Sequence, residues 1–265
     1  MGTKIGLTEL VFRSEKRTNL LLFLKEKPRN IDEIQEHLNL DPISILPQIK
    51  KLKDRNLILQ KDRTYELSII GKAIVDRMFP LVSTLEVLED NFDYWSKRRL
   101  EGIPPFLRAR IGELKNCKLI RPDASHMFEL NSEVVECLKT SKQILSFISY
   151  FHPSFTSLYV TLAEKGINLS LVFTWSVLQR FKTDYREVLE TLIEVETVKI
   201  FVFTGEPKLA GLTVTDRFFL FTVFPETKLF EHESLISSDP YALKWGTDLF
   251  FYLQNEAFQI KDLDF

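Results

Sequence analysis

The reading of the amino-terminal third turns on Asp41 to Arg55, DPISILPQIKKLKDR, and on the apolar run Leu57-Ile58-Leu59 that follows it. Asp41 is suited to accept the first free amides of a helix. Pro42 fits the first helical position because its missing N–H has no intrahelical role there. Ile45, Ile49 and Leu52 then share one face, while Ser44, Gln48, Lys51 and Arg55 follow a row about 100° away. Lys50 and Lys53 flank that outward row. Pro47 conflicts with this regularity. Inside a helix it removes a hydrogen bond at a cost of about 3 kcal/mol, which predicts a bend or a later regular start.

The neighbouring segments give this helix its context. Upstream, Ser14 followed by EKRTNLLLFLKE reads as a capped helix with apolar Leu20, Leu21, Phe23 and Leu24, ending at Pro28. Leu7 to Phe12 predicts a short helix packed against it. Asn30 caps IDEIQEHLNL, whose Ile31, Ile34 and Leu38 have the spacing of one buried face. A short turn, Asn39-Leu40-Asp41, leads into the third helix. Downstream, LILQ and TYELS flank the charged turn Lys61-Asp62-Arg63, a hairpin pattern. Three helices followed by a hairpin is the order of a winged helix-turn-helix, whose third helix enters a DNA groove. Gln pairs with adenine there, and Lys or Arg with guanine or the backbone. The expected DNA-binding residues are Ser44, Gln48, Lys50, Lys51, Lys53 and Arg55, with Lys61 and Arg63 of the wing on flanking phosphate or minor groove. The expected partner is a double-stranded DNA operator.

Charge separates the chain in the same way. Residues 1–77 hold 15 Lys/Arg against 11 Asp/Glu, leaving 20 against 26 for the rest, although the whole chain carries only -2. Hydrophobic residues at 45% and charged residues at 27% of 265 exclude a disordered chain and allow two ordinary cores. The expected division is a winged domain at 1–77, a helical connector at 78–116 and an α/β regulatory domain at 117–265. In the connector Met78, Leu81, Leu85, Leu88, Phe92 and Trp95 alternate steps of three and four. Such a stripe reads either as a dimerisation seam, giving a homodimer on a two-fold operator, or as the buried face of a helix within its own domain. Pro80 predicts a kink or break within it.

Beyond about Leu119 the runs QILSFISY, INLSLVF, VKIFVF and FFLFTVF read as buried strands. Helical patterns at Ser132 to Thr140, Pro153 to Lys165 and Ser176 to Glu194 lie between them, and a last helix follows Asp239-Pro240. This alternation predicts an α/β sandwich with a mostly parallel sheet, and Leu209 to Phe224 a hairpin turning at Asp216-Arg217. Neither a phosphate-cradling glycine loop nor a GxSxG elbow occurs. None of His37, His126, His152 and His232 begins an HxK pair. Cys117, His126 and Cys137 have no metal-site spacing, and the two cysteines read as reduced thiols. No catalytic residue, metal or cofactor is therefore expected. Polar residues at strand ends are the candidates for a ligand pocket: His152, Trp175, Asp216 and Arg217. No apolar run of about 18 residues is present, the amino terminus lacks a secretory h-region, and Gly6 spoils a myristoylation start. A cytoplasmic protein is expected.

Certain segments resemble a known family. ILPQIKKLKDRNLI with its Pro47, LSIIGKAI after the wing, FHPSF, LTVTDRFFLFTVF and SSDPYALKWGTDLFFYL are similar to archaeal winged-helix regulators of methanogens. These join an ArsR-like DNA-binding domain to a methanogenesis-regulatory domain. The resemblance spans nearly the whole chain. Pro225-Glu226-Thr227-Lys228 departs from it, standing where a glycine-containing turn is expected. It implies a transcriptional regulator with a phospholipase-like sensor domain that answers a small-molecule effector and alters operator binding. The alternatives are a phosphodiesterase-like enzyme and a protein-interaction module built from the same two domains.

Overall fold

Asp41 opens the third main helix as its sequence implies, its carboxylate accepting from the Ser44 amide at 2.7 Å with Pro42 in the first turn. The computed structural model describes residues 6–121, 131–227 and 233–263, so His126 and His232 lie outside the described residues. The chain forms two units, Met1–Val82 and Ser83–Phe265.

In the first unit α1 (Leu7–Phe12), α2 (Glu15–Phe23), β1 (Arg29–Asn30), α3 (Ile31–Leu38) and α4 (Pro42–Asp54) precede a hairpin of β2 (Ile58–Lys61) and β3 (Thr64–Leu67). The strands make an antiparallel sheet in the order β1-β3-β2. Asn30 caps α3 in a capping box with Glu33, and Asn39 ends it at φ 51°. Asp62 turns the hairpin at φ 51°, a left-handed conformation that Asn and Asp tolerate better than most residues. Leu20, Leu21, Ile34, Ile45 and Leu52 are fully buried, so the apolar stripes of α2, α3 and α4 converge in one core.

Two local expectations need revision here. Helix α4 starts at Pro42 and continues through Pro47, so its regular start is not delayed. The carbonyl deprived of an amide belongs to Ile43, a residue 87% exposed, where solvent can serve as the partner. Ser14 makes no side-chain cap. Instead the Thr18 hydroxyl donates to the Val11 carbonyl at 2.7 Å and ties α2 to α1.

Helix α5 (Ile69–Asp90) begins where Ser68 Oγ accepts from the Gly71 amide at 2.9 Å and donates to the Asn56 carbonyl at 2.6 Å. A Cβ on Gly71 would sit 2.0 Å from the Leu57 carbonyl oxygen, so the LSIIGKAI segment needs glycine at this close approach. Residues of the expected connector divide between two cores. Met78 belongs to the first core, whereas Val87, Trp95, Ile103, Leu107, Ile111 and Leu114 belong to the second, with α6 (Phe92–Trp95) and α7 (Pro105–Arg108). Pro80 lies inside α5 without ending it. Of the predicted seam, Met78 and Trp95 are core, while Leu81, Leu85 and Phe92 are 51%, 53% and 66% exposed.

The second unit is α/β, as expected. Its elements are β4 (Lys118–Ile120), α8 (Ser132–Lys139), β5 (Gln143–Ile148), α9 (Ser154–Glu164), β6 (Asn168–Thr174), α10 (Trp175–Asp184), α11 (Arg186–Glu194), β7 (Val198–Phe203), β8 (Gly211–Thr215), β9 (Phe219–Thr222), β10 (Ser234–Ser237), α12 (Pro240–Asn255) and β11 (Ala257–Ile260). The sheet order is β11-β7-β6-β5-β8-β9-β10-β4. The parallel part is β5-β6-β7, whose strands are joined by helices, and every other pairing is antiparallel. β8 and β9 are joined by a hairpin, whereas β5 with β8, β7 with β11 and β10 with β4 pair antiparallel across long stretches of chain. Helices α9, α10 and α11 share one core with the sheet, and α12 packs in the other. The continuous helix expected from Ser176 to Glu194 is interrupted at Tyr185. Among the described residues no helix is long and apolar enough to cross a membrane.

Candidate functional site

The outward row of α4 is not uniformly free. Ser44 is half-buried, and its Oγ lies 3.1 Å from the Asp41 carboxylate it also caps through its amide. Those hydrogen bonds hold the Asp41 carboxyl below its ordinary range. Gln48 is half-buried, and its Oε1 accepts from Arg17 Nη1 at 2.8 Å. That bond fixes the amide and occupies one acceptor site of the pair that would read adenine. Lys50 and Lys51 are exposed and have neither ion-pair nor hydrogen-bond partner among the described residues. Lys53 is exposed too, but its ammonium donates to Gln60 Oε1 at 2.6 Å and links α4 to β2. Arg55 is half-buried at the end of α4. On the hairpin, Lys61 pairs with Glu66 at 2.5 Å, and Arg63 is exposed beyond Asp62.

Arg17 is the residue that sequence reasoning missed. It is 8% exposed, donates from Nε to the Leu10 carbonyl and orients Gln48. Its signal was present: Arg17 falls on the same i, i+3, i+4, i+7 stripe as Leu20, Leu21 and Leu24. A charge on a buried stripe calls for a partner.

The four pocket candidates of the second unit do not all lie at one end of the sheet. His152 lines a cavity of about 170 Å³ bounded by β5, β8, β9, α8 and α9. Its Nδ1 accepts from the Ser154 amide at 3.1 Å, at the start of α9. Asp216 and Arg217 lie at the opposite end of the sheet, because β8 runs antiparallel to β5 and pairs Thr215 with Ile144. There Asp216 accepts from the Lys142 amide at 2.9 Å, and Arg217 donates to Thr140 Oγ1 at 3.1 Å. Trp175 opens α10, is 46% exposed and lies outside the cavity lining.

Residues 7–86 match the family model for the N-terminal domain of the methanogenesis regulatory protein FilR1, and residues 127–256 match that for its middle domain. The chain carries the N-terminal and middle domains of the FilR1 family. The methanogenesis regulatory protein FilR1 of Methanothrix harundinacea (strain 6Ac) is 24% identical over 95% of this chain, which spans 57% of that relative's length. Two solved structures are similar at low scores. The archaeal chromatin protein TrmBL2 has a TM-score of 0.42 at 11% identity, covering 91% of this chain and 92% of its own. Nuc, a phospholipase D family member from Salmonella typhimurium, has a TM-score of 0.40 at 9% identity, covering 55% of this chain and 98% of its own.

No group of His, Cys, Asp and Glu among the described residues has the geometry of a metal site. The two thiols of this FilR1-type chain differ in setting. Burial pushes the Cys117 thiol up to about 12, whereas Cys137 is exposed on α8. Since the thiolate is the nucleophile, a maleimide at neutral pH should label Cys137 rapidly and Cys117 only after denaturation. Mass spectrometry of a labelling time course checks this. Equal rates at both sites would show that Cys117 is not shielded.

Proposed function

We propose that this protein is a DNA-binding transcriptional regulator, acting in the cytoplasm, in which an ArsR-like winged helix grips an operator and the α/β unit senses a small-molecule effector. The observation that carries the DNA reading is the exposed cationic surface of the first unit: Lys50, Lys51 and Lys53 on α4, with Lys61 and Arg63 on the hairpin. Two of these ammonium groups, Lys50 and Lys51, have no partner within the described protein, so docking a phosphate would break no ion pair. The regulatory character of the FilR1 family supports the same reading. Gln48, oriented by Arg17, and Ser44 would face the bases from the same helix, with Arg55 supporting. A homodimer would use Leu81, Leu85 and Phe92, apolar side chains exposed near the middle of the chain. An effector binding in the α/β unit would change operator affinity by the difference in its affinity for the two arrangements of such a dimer.

Selection from a random duplex pool at low salt tests this proposal. The expected result is an enriched motif with two related half-sites. Affinity should fall as a power of salt concentration, by an exponent of about 0.9 for each phosphate neutralised. A pool that shows no enrichment, or binding indifferent to salt, would remove DNA as the partner.

A further inference from the structure

The cavity between α8, α9 and the sheet carries a polar group that no other described residue pairs. Tyr159 lies on α9, is 5% exposed and lines this cavity, yet its hydroxyl has no hydrogen-bond partner among the described residues. Burial holds its phenol in the protonated form, and neighbouring Tyr150 pushes the same way. Tyr159 is therefore a neutral donor in the cavity wall. Water can serve as its partner, and a guest that displaces that water must bring an acceptor or leave the donor unpaired at a cost of about 1–3 kcal/mol.

The other polar groups of the lining are arranged differently. Ser146 and Thr213 share a hydrogen bond at 3.0 Å, and Thr222 and Ser234 share one at 2.7 Å. Arg121, at the rim, is committed to Glu233. Among the described residues no carboxylate lines the cavity, and most of the remaining wall is apolar, including Leu138, Ile144, Phe155 and Leu158. A cationic guest would lose its hydration here without a counter-charge, and an anionic one would have to compete with Glu233 for Arg121. The volume of about 170 Å³ is close to the roughly 150 Å³ of an apolar protein cavity that takes up benzene.

We propose that this cavity is a binding site for a neutral, single-ring or short-chain molecule whose one hydrogen-bond acceptor, a carbonyl or ether oxygen, pairs with the Tyr159 hydroxyl. The assignment rests on the reading of the α/β unit as a sensor and gives that sensor a site and a ligand class. Its location differs from the strand-end pocket expected from sequence, sharing with it only His152.

Fluorine NMR on the full chain tests the site with three probes: 4-fluoroacetophenone, which carries an acceptor, 4-fluorotoluene, which does not, and charged 4-fluorobenzoate. The ketone is expected to bind roughly 5–10-fold tighter than the hydrocarbon, the worth of about one net hydrogen bond. The benzoate is expected to bind weakest. Tyr159→Phe keeps the ring and removes the donor, so it should still bind 4-fluorotoluene while losing the preference for the ketone. Equal binding of ketone and hydrocarbon by the unaltered protein would overturn the proposal. So would an unchanged preference in Y159F, or the absence of all probe binding in protein that still retards its operator. Operator affinity measured in the same samples separates the two readings. Ketone binding through Tyr159 that leaves DNA affinity unchanged supports the site and removes its sensory role.

Discussion

Glutamate at both Lys50 and Lys51 should abolish retardation of operator DNA while leaving the folded protein intact. Each change replaces an exposed ammonium by a carboxylate on the outward side of α4, so a DNA phosphate would meet repulsion where it met attraction. With neither side chain paired to another described residue, no internal ion pair is lost. The stability cost is correspondingly small. Surface changes away from special features stay within about 0.5 kcal/mol. Lys51 sits in the last turn of α4, where a cation favours the helix dipole by about 0.3–1 kcal/mol, so the variant should melt slightly lower. Affinity should fall by roughly two orders of magnitude or more, the scale of two lost phosphate contacts plus repulsion, and the salt exponent should drop by about 2. Lys53→Glu should do less, since its ammonium is engaged with Gln60. Circular dichroism and a mobility-shift titration measure the two halves of this prediction. A folded double variant that retards DNA with unchanged affinity would mean that another face of the protein makes the contact.

The first unit was legible because its signals are local. Asp41-Pro42 marks a helix start through cap chemistry, and Ile45, Ile49 and Leu52 mark a buried face through spacing, both within one turn or two of chain. Pro47 is accommodated because Ile43, whose carbonyl it deprives of an amide, lies at the exposed start of the helix. In the second unit the apolar runs located the strands, but strand direction depends on which strand each one pairs with. The antiparallel register of β8 on β5 sends Asp216 and Arg217 to the end of the sheet away from His152, a fact that no local pattern encodes. Tyr159 was invisible for a similar reason. A tyrosine in an apolar helix stripe reads as core, and the cavity it lines exists only once α8, α9 and the sheet are assembled. Arg98 belongs with it: nearly buried, its guanidinium lies 4.4 Å from the Tyr94 ring centroid and pairs with Glu233, which is 135 positions away.

Trp245→Ala should be the most damaging single substitution tested in the α/β unit. In the last helix Trp245 stands among the apolar residues Leu243, Leu249, Tyr252 and Leu253. In the structure the indole is fully buried, with ring centroids 6.0 Å from Phe219 and 5.3 Å from Phe221. Its Nε1–H donates to the Leu107 carbonyl at 3.0 Å, joining α12 to α7 across 138 positions. The adjacent Gly246 brings the helix so close to the sheet that a Cβ there would meet the Phe219 ring at 2.4 Å. A packed helix of this kind cannot simply settle into the space an indole leaves, so most of the cavity should persist. Removing the side chain costs about 3–5 kcal/mol for a buried aromatic, and the orphaned Leu107 carbonyl adds roughly 1 kcal/mol or more. Against a typical total of about 5–15 kcal/mol, that is a large share of the unit's stability. At about 2–4 °C per kcal/mol for a unit of this size, the melting transition should fall by roughly 10 °C or more. Trp245→Phe keeps most of the packing and loses the hydrogen bond, so its shift should be less than half as large. Because two units need not unfold together, calorimetry should show the change in one transition while that of the first unit keeps its place. A shift of less than about 2 °C for the alanine variant would mean that the sheet face of α12 closes over the gap, and that packing at Gly246 rather than the indole anchors the helix.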